Sequence, residues 1–286
     1  MKLNKVEKSV VSGKPSGGAT RVISFTSGKG GVGKTSTVVN VALALAEAQN
    51  NVLLIDADLG LANIDVLLGV KPSYTLEDLF EGRRTLEEIM IPGPNGIRII
   101  PAASGVESMV NLDSSRQMLL MQALSALPYT FDYVLIDTGA GIGIDVLYFN
   151  AAASEIVCIV TPEPTSLTDA YALIKVLSTQ YGEEEINILV NNVSSEAESK
   201  QTFLRLYKAV ERFLHVKLNY LGFVPADSSV REAVQSQRAL LELFPSSPAG
   251  LAISALARRM DAQFHELRIK GGMQFFFEQL LESESR

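Results

Sequence analysis

Tryptophan is absent from the 286 residues, cysteine occurs once and histidine twice. The single cysteine, Cys158, excludes an internal disulfide and cannot supply the paired thiolates of a metal-cluster carrier. It lies within the apolar run Glu155 to Val160, where a small core hydrophobe is expected rather than a reactive thiol. His215 and His265 stand far apart with no metal-ligand spacing around them, which argues against a His/Cys metal site. No run of about 18 uninterrupted apolar residues occurs, and the N-terminus lacks the apolar core of a signal peptide. The expectation is a cytosolic protein that can still touch a membrane surface. Positive charge is short as well: 25 Lys and Arg against 32 Asp and Glu leave a net charge of −7. With no basic stripe to meet phosphates, direct DNA binding is disfavoured.

What remains is the composition of a folded α/β protein, 47% hydrophobic and 20% charged. Residues 1–20, rich in Ser, Gly and Lys, read as a flexible lead-in. Apolar strands and helical periods then alternate: strands at 21–27 and 51–58, a helix after 34, the strand GIRIIPA, and a helix near 115–127. The strand FDYVLIDTG, a helix near 144–152, the strand EIVCIVTP and the helix SLTDAYALIKVLSTQYG follow. Two more strands, INILVNN and LNYLGFVP, are separated by the helix AESKQTFLRLYKAVERFL. Strands with almost no polar alternation, spaced by helices, predict a doubly wound, mostly parallel sheet covered on both faces. No linker splits residues 21–267, so one domain is expected there, followed by a segment at 268–286. Ser166-Leu-Thr-Asp169 matches a capping box, which leaves Asp169 as either a helix-starting or a functional residue.

Ligands of such sheets bind beyond the carboxyl ends of the strands, and the chemistry-bearing residues cluster there. GKGGVGKT, Gly28 to Thr35, fits G-x-x-x-x-G-K-[ST] between an apolar strand and a helix. Gly28, Gly30, Gly31 and Gly33, with Val32, let backbone N–H groups converge on phosphate oxygens. Lys34 is expected on the β and γ phosphates, Thr35 on Mg²⁺, and Ser36 in the helix turn whose N-terminus favours anions. LLIDADLGLANID then places Asp56, Asp58 and Asp65 at and after a strand end. Asp58 is the candidate for orienting a water against a γ-phosphate, Asp56 for the metal's water shell, and Asp65 for a capping role. YVLIDTGAGI ends a strand in Asp137, the candidate Mg²⁺-holding carboxylate, and its glycines form a hinge.

KGGVGKT resembles the deviant Walker A motif of the MinD/ParA class of P-loop ATPases, with IDADLGLANID as switch I and DTGAGI as switch II. Within that class DADLGLANIDVLLG, GIRIIPAASG, EPTSLTDAYALIK and VPADSSVREAV look like the FlhG (FleN, YlxH) flagellar-number regulators, over residues 21 to 281. The resemblance implies a slow, regulatory ATPase using ATP/ADP and Mg²⁺ and closing as a homodimer around ATP. It implies that Lys29 reaches across the dimer to the partner's phosphates and that Asp58 positions the hydrolytic water. Asn191, Pro225 and Asp227 match adenine-side positions. It further implies a flagellar partner, either a GTPase of the FlhF type or a transcription regulator of the FleQ type. Residues 1–20 contain nothing like the DQAxxLR pattern with which the family stimulates that GTPase. Division-site selection of the MinD type and DNA partitioning of the ParA type are the alternatives, and a nonhydrolysing nucleotide-gated scaffold is a third.

Near the C-terminus Met273, Phe276, Phe277, Leu280 and Leu281 fall on one helical face, after two glycines that read as a hinge. The resemblance implies an amphipathic helix that enters the inner-membrane surface in the ATP state, making the protein reversibly peripheral. Docking on its own domain is the other reading, since Glu278, Glu282 and Glu284 suit anionic lipid poorly.

Overall fold

The computed structural model describes residues 20–59, 62–102, 114–128 and 130–264. The lead-in at 1–19 and the terminal apolar face at 273–281 lie outside them. Eight strands form one sheet in the order β3-β4-β2-β5-β1-β6-β7-β8. They are β1 Arg21–Ser27, β2 Val52–Ala57, β3 Ile91–Pro92, β4 Arg98–Ile100, β5 Tyr133–Ala140, β6 Glu155–Val160, β7 Glu185–Val193 and β8 Lys217–Pro225. All pairings are parallel except β3 with β4, a two-residue edge strand. The central strand β1 lies between β5 and β6, so consecutive units run to opposite sides of it. That reversal opens the crevice beyond its carboxyl end.

The strands lack polar alternation because both faces are covered. On one face Ile23, Phe25, Leu54, Leu135 and Val157 pack against α1 Lys34–Glu47 and α11 Pro248–Phe264. The opposite face divides: Leu53, Ile55, Val134 and Ile136 join one cluster with α5 Ser114–Ser125 and α6 Ile144–Ala152. Ile156, Cys158 and Val160 join another with α7 Pro164–Tyr181 and α8 Glu196–Phe213. Cys158 is fully buried, and desolvation pushes its thiol up to about 12, as a core residue requires.

Polar side chains inside this core fix α6 beneath β1. Ser24 Oγ donates to Asn150 Oδ1 at 2.8 Å, while Asn150 Nδ2 donates to Thr26 Oγ1 at 3.1 Å and to Val146 O at 2.7 Å. A satisfied amide of this kind holds one alignment, because any slip would strand buried donors. At the other end of the strands Tyr133 OH and Asn50 Nδ2 both donate to Asp261 Oδ1, at 3.0 and 3.2 Å. Arg21, ion-paired with Glu155, also donates to Met260 O, so the end of α11 is fastened to β1, β5 and β6.

Several short elements carry no strong period in the sequence: α2 Ile64–Leu68, α3 Leu76–Phe80, α4 Leu86–Ile89 and β3, then α9 Ser228–Gln235 and α10 Leu240–Leu243. The capping box expected at Ser166 to Asp169 is not a cap. Helix α7 begins earlier, at Pro164, whose ring suits the first helical position. Ser166 Oγ instead accepts the Thr161 N–H at 3.0 Å, tying the helix back to the end of β6.

Candidate functional site

The loop between β1 and α1 ends in Gly33, the residue before the helix, at φ 86°. That left-handed conformation favours glycine, and a Cβ there would also overlap the Asn191 amide. Asn191 Nδ2 donates to Val32 O at 2.7 Å, so β7 braces the loop from the side. A Cβ at Gly28 would overlap the backbone of Asp169, which fixes how closely α7 passes under the loop. Gly30 and Gly31 are exposed, with open space where side chains would be. Together with the helix N-terminus this leaves a cradle of backbone N–H groups suited to phosphate. Ser36, half-buried in the first turn of α1, gives its carbonyl to Asn40 Nδ2 at 2.7 Å.

Two carboxylates meet behind the cradle. Asp56 and Asp137 are register partners on β2 and β5, and both are buried. Lys34 Nζ donates to Asp137 Oδ1 at 2.7 Å, and the Thr35 hydroxyl also bonds that carboxylate. Burial pushes the Asp137 carboxyl up, against the pull of Lys34 and Thr35 in the other direction. Its second oxygen, Oδ2, is buried without a hydrogen-bond partner. Asp56 is pushed up to about 7 by burial and then by the neighbouring Asp137, despite accepting N–H bonds from Ile64, Asp58 and Asn63 at 3.1–3.2 Å. A buried oxygen with no partner beside a second carboxylate is a chemically apt place for a divalent cation. The donor set is all oxygen, which suits Mg²⁺, and with the cradle above it the residues fit an ATP–Mg²⁺ pair.

Asp58 follows β2 and is half-buried. Its Oδ1 lies 3.7 Å from where a Cβ on Gly139 would sit, and Asp145 Oδ2 lies 3.9 Å from the same point. The glycine thus opens the space between them. Gly141, at φ 93°, donates its N–H to Ser27 O at 2.9 Å, joining the β5–α6 loop to the phosphate loop. Asp65 belongs to the first turn of α2, where its carboxylate accepts the Val66 N–H at 2.8 Å.

A cleft of about 530 Å³ runs from the loop across the ends of β6, β7 and β8. Lys29, Gly30, Gly31, Val32 and Gly33 form one end; Asn191, Pro225 and Asp227 form the other. Asp227 is also structural. Its Oδ1 accepts Ser229 N–H at 2.9 Å at the start of α9, and its Oδ2 accepts Ala249 N–H at 3.0 Å at the start of α11. Sequence reasoning missed four further wall residues: Thr161, Glu163, Asn192 and Arg231. The first two follow β6 and could have been found by the strand-end rule. Thr161 Oγ1 is buried with no hydrogen-bond partner. Asn192 sits in a bulge of β7 at φ 59°, a conformation Asn tolerates better than most residues. Lys29 leans away from the cradle: its Nζ contacts Glu163 Oε2 at 2.5 Å and Thr165 Oγ1 at 3.0 Å.

A family model described as an AAA domain matches residues 20–190. The antiactivator FleN of Pseudomonas aeruginosa is 48% identical over 262 residues, covering 92% of this chain and 94% of FleN. The chain belongs to the FleN/YlxH family of MinD/ParA-like P-loop ATPases. The flagellum site-determining protein YlxH of Helicobacter pylori is 33% identical, with 93% of this chain and 91% of YlxH covered. Among solved structures, the septum site-determining protein MinD with Mg-ADP from Pyrococcus horikoshii OT3 superposes with a TM-score of 0.69. Identity there is 26%, over 87% of this chain and 100% of the other. The MinC:MinD complex of Aquifex aeolicus gives the same TM-score at 28% identity, covering 85% and 96%. The protein of this family is an ATPase, and no helix among the described residues is long and apolar enough to cross a membrane.

Proposed function

We propose that this FleN/YlxH-family ATPase is a slow nucleotide switch, monomeric with ADP or without nucleotide and dimeric with ATP, that controls flagellar number and placement. Its ATP dimer would bind the cytoplasmic face of the membrane and a flagellar partner, of the FlhF GTPase or FleQ regulator type. The observation that carries the reading is the division of labour between two lysines in one loop. Lys34 is buried and points at Asp137, whereas Lys29 stands 37% exposed at the rim of the cleft. The inner lysine is placed for the chain's own phosphates and the outer one for those of a second copy.

When bound, Mg²⁺ would neutralise phosphate charge beside Asp137 and Thr35. Lys34 would then exchange the Asp137 carboxylate for phosphate oxygens, while the Gly30 to Gly33 backbone fixes those oxygens by N–H bonds. Asp58, open to the space before Gly139, would orient the attacking water. Asn191 and Pro225 would flank the adenine. ATP touching both subunits binds the dimer better than the monomer, and that difference shifts the population.

Size-exclusion chromatography with liposome co-sedimentation tests this on wild type, Lys29→Ala and a chain ending at residue 270, each with ADP and with ATP. Wild type should dimerise and pellet with vesicles only in ATP; Lys29→Ala should stay monomeric, and the shortened chain should dimerise without pelleting. Wild type that remains monomeric and off liposomes in ATP would overturn the central step.

A further inference from the structure

The Lys29 ammonium is already engaged within its own subunit. Both acceptors, Glu163 Oε2 at 2.5 Å and Thr165 Oγ1 at 3.0 Å, belong to the start of α7. That start is held by contacts that do not involve the lysine. Gly28 passes against the Asp169 backbone, and Ser166 Oγ accepts the Thr161 N–H. Ser27 Oγ donates to Lys29 O at 2.9 Å, which fixes the lysine's backbone as well. The two ends of the pair are therefore presented to each other by a prearranged scaffold.

We infer that Glu163, seconded by Thr165, is a positioning residue that holds Lys29 folded back on its own subunit, and that formation of the ATP dimer must break this pair. The inference rests on the proposed dimer in which Lys29 acts on the second copy. One ammonium cannot lie on Glu163 and also reach across an interface. Dimerisation thus carries a built-in opposing step, and free Lys29 is a minority state until nucleotide and a second subunit compete for it.

The pair is built to yield. Its side chains are 37% and 60% exposed, so solvent and salt screen it. Each such contact biases the equilibrium by about fivefold at most. A symmetric dimer opens two of them, and the combined bias on dimerisation is about tenfold or somewhat more. That is enough to move a dissociation constant across a cellular concentration without preventing assembly.

Two measurements test it on the full chain. First, Lys29 in the ADP-loaded protein is acetylated with an N-hydroxysuccinimide ester and followed by peptide mass spectrometry. E163Q, and more so E163Q with T165V, should label about three- to tenfold faster than wild type, and E163D should restore protection. Second, the dimer constant in ATP is measured by analytical ultracentrifugation in a D58A background, which keeps ATP intact. E163Q should tighten the dimer about tenfold, with less gain at high salt. Equal labelling rates, or a dimer in E163Q no tighter than its parent, overturns the inference. A wild type that never dimerises, combined with faster labelling in E163Q, would instead refute the switch reading and leave the Lys29–Glu163 contact standing.

Discussion

Lys34 and Asp137 form a buried pair, so changing either exposes the other's dependence on it. Lys34→Ala removes the phosphate partner and should weaken nucleotide binding by at least about tenfold, in line with the roughly 1.5–3 kcal/mol of a hydrogen bond to a charged group. Titration with a fluorescent ATP analogue measures this. Lys29→Ala should leave the same titration within about threefold of wild type, because the Lys29 ammonium rests on Glu163 rather than in the cradle. Asp58→Ala should abolish phosphate release in a turnover assay while ATP-dependent dimerisation persists; loss of both together would argue against a water-orienting role. Cys158, whose thiol is pushed up to about 12 by burial, should resist a disulfide reagent at pH 8 for hours and react fully in denaturant.

At the scale of elements, the long strands and helices were legible because each carries at least two turns or five residues of unbroken pattern. Helix α8, amphipathic over 18 residues, and β6, apolar after its first residue, could hardly be read otherwise. Elements α2, α3, α4 and α10 have four or five residues each, too short for a period to repeat, and they form where tertiary packing buries one or two leucines. The capping box at Ser166 misled for a related reason: a hydroxyl that can cap its own helix was used by Thr161 instead. The cradle was legible because glycine spacing records backbone demands directly. The Asn192 bulge and the double duty of Asp227 were not, since each depends on where a distant segment returns. Asp227 offers a test. Although burial opposes it, N–H bonds from Ala249 and Ser229 hold its carboxyl below the usual range. A depressed native value contributes stability that is present above the unfolded value near 4 and lost as pH falls through the native one. Asp227→Ala should cost about 1–2 kcal/mol in urea unfolding at pH 7, the range for a lost helix cap, and the gap to wild type should narrow below about pH 4.

For the whole molecule, the acidic balance and the single α/β domain agree with an ATPase that works on proteins and surfaces rather than on DNA. Binding to the folded state alone stabilises by mass action. Mg-ADP at 100 times its dissociation constant should add about 2.7 kcal/mol, or about 5–10 °C in Tm for a chain of this size. Removing the metal with EDTA should reverse much of that gain in a thermal melt if Asp137 and Thr35 hold it. Little change on EDTA would instead place most of the binding energy in the loop and Lys34.

Helix α11 connects the two ends of the sheet. Its beginning is held at the cleft by Asp227 through Ala249, and its far end is clasped by Arg21, Asn50 and Tyr133 around Met260 and Asp261. Its 17 residues span about 25 Å. A rod pinned at both ends transmits a push along its axis with little bending, so a small shift of Asp227 under a bound base becomes tension on the clasp where the chain leaves toward residue 265. Hydrogen exchange of the last turn of α11 should therefore respond to nucleotide in the wild type and cease to respond in Asp227→Ala.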